Sequence, residues 1–222
     1  MTHLKKRNDG FTLVELLVAM AIGAIVMAAV YSTYTTQQKS YILQEQVGAM
    51  QQNIRAAMYY MTRDIRMAGC DPTGNANAGI TAAGPTSITF TRDIRTGIDP
   101  SNNTADGNTN GWNESVTYAY DNATKQVTRG GQALAENIDV LDFVYLDTNG
   151  NVLNPGQTSV PSASIPSIQS VQVTVVARTG RGDLKYVNSE PFTNQQGDQI
   201  LAPQNDNFHR KILTSNIRCR NL

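Results

Sequence analysis

The chain has 222 residues, 18 basic and 18 acidic, for a formal charge of zero, and a mean hydropathy of −0.33. No segment carries a Lys/Arg stripe, so neither charge nor patterning offers an electrostatic footprint for nucleic acid, and no nucleic-acid partner is expected. Charged residues make up only 16% of the chain. Its abundance of Gly, Asn, Thr, Ser and Gln suits an exported β-rich domain with polar loops better than a cytosolic helical enzyme.

The first ten residues, "MTHLKKRNDG", are basic through Lys5, Lys6 and Arg7, and residues 11–30, "FTLVELLVAMAIGAIVMAAV", are apolar apart from Thr12, Glu15 and Gly23. About twenty helical residues rise about 30 Å, the hydrocarbon thickness of a bilayer. Basic residues ahead of such a span hold that end in the cytoplasm and send the remainder across. A secretory signal would end in a small-residue cleavage site, but here the apolar stretch runs straight on into helical sequence. An ordinary membrane anchor leaves Glu15 unexplained, because a carboxylate at that depth costs roughly 2.5–3.5 kcal/mol on insertion scales.

Beyond Val30 the helical pattern continues without a proline until Pro72. Val47, Met50, Ile54, Met58, Met61, Ile65 and Ala68 recur at spacings of three and four and mark one apolar face. Gly69 followed by Pro72 is a stop signal. A single helix is therefore expected from Phe11 to about Ala68, about 85 Å long at the standard rise. Its half at 11–30 suits lipid or the apolar centre of a filament, and its amphipathic half at 31–69 suits a globular partner. The methionines of the stripe read as core packing.

From residue 70 the period changes to two. Strands are expected at 87–94, 115–120, 125–129, 138–146, 170–178 and 211–220, with turns at Asn110-Gly111 and Asn149-Gly150. Hairpin spacing without a second long helix gives an α+β domain over 70–222, an antiparallel sheet packed on the helix's apolar face.

The stretch "KKRNDGFTLVELLVAMAIGAIVMAAV" resembles the amino terminus of type IV prepilins and type II secretion pseudopilins: a short basic leader, Gly10, then Phe11-Thr12-Leu13-x-Glu15 and an apolar helix. The later segments "MTRDIRMAGCDP", "NESVTYAYD", "IDVLDFVYLDTNG" and "IRCRNL" are similar to those of PilW-type minor pilins, and the layout is also similar to the J-type minor pseudopilin of type II secretion. The resemblance implies a pilin fold. It also implies a leader over 1–10, cut between Gly10 and Phe11 by a prepilin peptidase that recognises Thr12 and Leu13 as part of the motif, and N-methylation of Phe11. It implies a single-pass protein of the bacterial inner membrane with its globular domain in the periplasm, later part of a pilus or pseudopilus. The implied partners are the membrane, the prepilin peptidase, the inner-membrane assembly platform, and other minor and major pilins. The role implied is a non-enzymatic subunit of a priming or tip complex, with a minor pseudopilin or a tip adhesion module as alternatives. Glu15 is then a docking residue. The Phe11 ammonium created by cleavage is a cation in the same apolar layer, and a carboxylate paired with an ammonium costs much less there than a lone one. Loss of Lys5, Lys6, Arg7 and Asp9 tips the neutral chain slightly acidic.

Several constellations remain. Cys70 and Cys219 lie beyond the membrane on this topology, where a bridge stapling the helix end to the last strand is expected, the alternative being two separate buried thiols. "DGNTNG" (106–111) matches the opening of a calcium loop, but the twelfth position holds Thr117 and Glu114 sits at the ninth. The 106–114 loop therefore reads as an Asn/Gly turn, with calcium the sole cofactor its pattern admits. Trp112 reads as an aromatic plug over the core, or else as a contact residue of the 97–114 loop. No catalytic set is expected: His209 is the single histidine after the leader, and a Cys70–His209 pair is the one nucleophilic arrangement left to consider.

Overall fold

A computed structural model of the chain describes residues 10–94 and 104–222. It divides into two compact units, one ending at Glu45 and one spanning Gln46–Leu222. A single helix, α1 (Leu13–Arg66, 54 residues), runs through both. In the first unit the helix is exposed nearly all round, with Leu13, Leu17, Ile25, Val30 and Tyr34 among its uncovered side chains. It is long and apolar enough to cross a membrane.

In the second unit the same helix acquires a buried face. Met50, Ile54, Ala57, Met58, Met61 and Ile65 are buried and share one apolar cluster with Phe90, Tyr118, Val127, Phe143 and Val173, and Val47 packs on its edge. Each such side chain removed from water stabilises by roughly 1.5–3 kcal/mol. The helix ends as its glycine foretells. Gly69 has φ +76°, a left-handed conformation that glycine adopts without strain, and its N–H donates to Thr91 O at 3.0 Å.

The strands are β1 (Ile80–Ala83), β2 (Ser87–Thr91), β3 (Ser115–Asp121), β4 (Gln126–Arg129), β5 (Gln132–Ala135), β6 (Ile138–Leu146), β7 (Ser170–Arg178), β8 (Phe192–Thr193), β9 (Gln199–Leu201) and β10 (Arg210–Arg218). Among the described residues every pairing between these strands is antiparallel. The sequence suggests one sheet, whereas the structure has a five-stranded meander β1-β2-β3-β4-β5, a three-stranded sheet β10-β7-β6 and the small hairpin β8-β9. The break falls after β5, where Asn137 takes φ +56°. Tyrosine hydroxyls join the two larger sheets. Tyr145 donates to Gly84 O and Ser87 O, and Tyr120 donates to Ile138 O and Asp139 O. The expected strand 87–94 stops at Thr91, because Arg92 and Asp93 turn inward as buried polar groups. Strands β6 and β7 are buried on both faces, with the β8-β9 hairpin and the segment after β6 covering the side away from the helix. The turn at Asn149-Gly150 closes a short return in which Leu146 bridges to Val152.

Candidate functional site

The motif at the head of the helix is built around Thr12 and Glu15. Helix α1 begins at Leu13, so Thr12 is its N-cap and Glu15 its third residue. The Glu15 N–H donates to Thr12 Oγ1 (3.3 Å), while Thr12 N–H and Thr12 Oγ1–H both donate to Glu15 Oε2, at 2.8 and 2.9 Å. This is a complete capping box, two otherwise unsatisfied donors being met reciprocally. The T-x-x-E spacing is itself a sequence signature of a helix start and gives Glu15 a local role at the helix head. The box folds the carboxylate back onto Thr12, and a hydrogen bond to a charged group contributes about 1.5–3 kcal/mol. Among the described residues Oε1 accepts no hydrogen bond. Gly10 is exposed with nothing within 4 Å of an added Cβ, and Phe11 is 93% exposed, so the bond between them lies open. Residues 1–9 of the expected leader are outside the described residues.

A second charged centre, inside the globular unit, was not anticipated. Asp64 is fully buried on the helix, where Tyr118 OH donates to its Oδ2 at 2.9 Å and Arg129 Nε donates at 2.8 Å, while Arg92 Nη1 lies 3.3 Å from Oδ1. Arg92 Nε and Arg129 Nη2 both reach Asn113. One helical carboxylate thus ties together β3, β4 and the segment after β2. Burial by itself raises the Asp64 pKa, but the hydrogen bonds from Arg129 and Tyr118 and the charges of Arg92 and Arg129 outweigh it and leave the group below the usual carboxylate range. Tyr118 is displaced upward by burial and by the Asp64 charge. A signal was present. Positions 50, 54, 57, 61, 64 and 68 alternate steps of four and three, which puts Asp64 within the apolar stripe rather than beside it.

The other candidates resolve individually. Cys70 and Cys219 are both thiols here, Cys70 half-buried and Cys219 buried, with the Cys219 thiol pushed up to about 11 by burial. Their chain segments meet nonetheless, because Asn221 Nδ2 donates to Arg66 O (3.3 Å) and a Cβ on Gly69 would lie 2.6 Å from Asn221 O. In the 106–114 loop the candidate calcium donors are engaged by backbone: Glu114 accepts from Ile94 N–H and Gly111 N–H, and Asp106 Oδ1 from Asn108 N–H. Among the described residues no group of three or more His, Cys, Asp or Glu could hold a metal ion. Trp112 is 49% exposed and does not plug the core. The 97–103 part of the suggested contact loop lies outside the described residues. His209 stacks on Tyr186 (3.9 Å between ring centroids) with Nε2 3.4 Å from Asp183, and Cys70 is not among its partners.

Comparison with known proteins matches residues 5–31 to the prokaryotic N-terminal methylation motif. No curated protein matches the chain. Among solved structures the chain is similar to the type IV-like pilin TTHA1219 from Thermus thermophilus, with a TM-score of 0.52 and 9% identity, covering 77% of this chain and 97% of that one. At that identity the likeness speaks for the fold alone. The chain carries a prepilin-type methylation motif at its head and folds as pilins do, one long helix on antiparallel sheets.

Proposed function

We propose that this chain is a minor pilin, a structural subunit of a type IV pilus priming or tip complex. The observation that carries the reading is the methylation motif at residues 5–31 heading a chain whose remainder is pilin-like. Prepilin peptidase cuts after Gly10 and Phe11 becomes N-methylated. Residues 11–30 then hold the protein in the inner membrane, with residues 70–222 in the periplasm, until the assembly platform extracts it to join other minor and major pilins. In the apolar layer Glu15 keeps its Oε2 in the Thr12 box and offers Oε1 to the Phe11 ammonium of a neighbouring subunit. A buried polar pair of this kind fixes register as well as lowering the cost of both charges. After export, Cys70 and Cys219 pair and staple the C-terminal tail to the end of the helix.

Two substitutions separate the two roles of Glu15. Glu15→Ala leaves cleavage intact and abolishes incorporation into filaments. Thr12→Ala breaks the box but keeps the carboxylate, and once processed it is incorporated. Filaments containing normal amounts of the Glu15→Ala protein refute the docking role. The same physics serves a type II secretion pseudopilus, so a deletion strain is scored for both surface pili and secreted proteins. Loss of pili with secretion intact supports the proposal, and the converse assigns the chain to the pseudopilus.

A further inference from the structure

Strand β10 is the outer strand of the order β10-β7-β6, and among the described residues no strand pairs with its other edge. It is nine residues long, has no proline, and pairs with β7 at every position without a bulge. The register identifies which backbone groups face outward. His209 O accepts from Thr179 N–H and Cys219 N–H donates to Gln169 O, so the odd positions are bonded to β7. Alternation in an antiparallel ladder then turns the N–H and C=O of Ile212, Thr214 and Asn216 away from the sheet. An edge this long and regular is a template for another strand.

Beside this edge lies a groove of about 720 Å³ between the last turns of α1 and the C-terminal tail. Its floor is apolar, from Met58, Tyr59, Met67 and Leu213. Arg55, Arg63, Arg66 and Arg220 also line it, and no carboxylate does. Among the described residues only Arg63 of these four has an ion pair, with Asp64 at 3.5 Å, and that carboxylate is already engaged by Arg92 and Arg129.

We propose that β10 and this groove form a docking site for an extended acidic–apolar segment of another protein. The segment adds as a strand to β10 through Ile212, Thr214 and Asn216. The side chains on its helix-facing side, every second residue, are apolar and acidic in turn: the apolar ones cover Met58, Tyr59 and Leu213, and the carboxylates meet the arginines of the same groove. Strand addition supplies main-chain hydrogen bonds, and the flanking pockets and charges supply the choice of partner. A second copy of this chain does not fit. The β10 of a second copy contains no acid and so offers the groove's arginines no carboxylate. The inference concerns the globular unit and does not depend on leader cleavage or on filament assembly.

The test uses the full chain in detergent micelles and a nine-residue peptide with valine and glutamate taking turns at its odd positions and threonine at the even ones, with lysine-for-glutamate and proline-containing versions as controls. Amide hydrogen exchange should slow at Ile212, Thr214 and Asn216 with the glutamate peptide and with neither control, and affinity should fall as salt rises. Arg55 and Arg220 are exposed, so Arg55→Glu with Arg220→Glu leaves the fold intact. This pair should weaken the glutamate peptide about tenfold and confer binding of the lysine peptide. The proposal is overturned by absence of protection at millimolar peptide, by equal binding of the lysine version, or by binding that leaves those three amides unprotected. Protection of the same amides by self-association of the protein alone also overturns it.

Discussion

Asp64 gives the sharpest test of how the helix is held to the sheets. Replacing it with alanine leaves Arg92, which is 4% exposed, and the half-buried Arg129 facing each other without their shared anion, and deprives Tyr118 OH of its acceptor. Breaking a buried ion pair from one side costs about 3–5 kcal/mol, a large part of a total stability of about 5–15 kcal/mol. Asp64→Asn keeps one acceptor oxygen and the shape but loses the charge, so about 2–3 kcal/mol is expected. The pH dependence has a definite sign. Because the folded-state pKa lies below the usual 3.8, the Asp64 contribution is fully present above that value and is lost as pH falls through the lower, folded pKa. Urea unfolding followed by fluorescence of Trp112, next to the bridging Asn113, should therefore show a wild-type advantage over Asp64→Asn at pH 7 that narrows as pH drops below about 4. A difference under about 0.5 kcal/mol at pH 7, or one that stays constant into acid, refutes the reasoning.

Other outcomes follow from the same structure. Asp142 is buried, its Oδ1 accepts no hydrogen bond among the described residues, and burial raises its pKa. Its charge therefore costs stability at neutral pH, and Asp142→Asn should raise the urea midpoint at pH 7, a gain that shrinks as acid protonates the wild type. Gly69→Ala meets Asn221 O and Leu222 Cδ2 at 2.6 Å in a left-handed backbone, so a loss of more than about 1 kcal/mol is expected in thermal unfolding. Tyr145→Phe removes the hydroxyl bonds to Gly84 and Ser87 and should cost about 0.5–1.5 kcal/mol in the same assay. In reduced native protein, iodoacetamide should label half-buried Cys70 before buried Cys219, as peptide mass mapping will show. Non-reducing mass mapping of protein drawn from its native membrane or filaments should find Cys70 and Cys219 joined.

The long helix and strands β2, β3, β4, β6, β7 and β10 were legible because each bears a periodic signal, and the fold followed from their order. Strands β1 and β5, "ITAA" and "QALA", are four residues each and rich in alanine, which favours no strand on its own. Hairpin β8-β9 is too short to carry a period. The division into two sheets depends on Asn137 and on hydroxyls reaching across the domain, neither of which leaves a local pattern. At the helix head the capping box was readable in four letters. The Asp64 centre was half readable: the stripe placed the acid inside, but its partners stand 28, 54 and 65 residues away in sequence.

The central claim is that the segment ahead of Phe11 is a leader, and that Glu15 sits in an apolar layer opposite the amine its removal exposes. Mass spectrometry of the protein drawn from its native membrane or filaments tests this most directly. The account predicts an amino-terminal peptide starting at methylated Phe11. A peptide that still carries "MTHLKKRNDG" contradicts it.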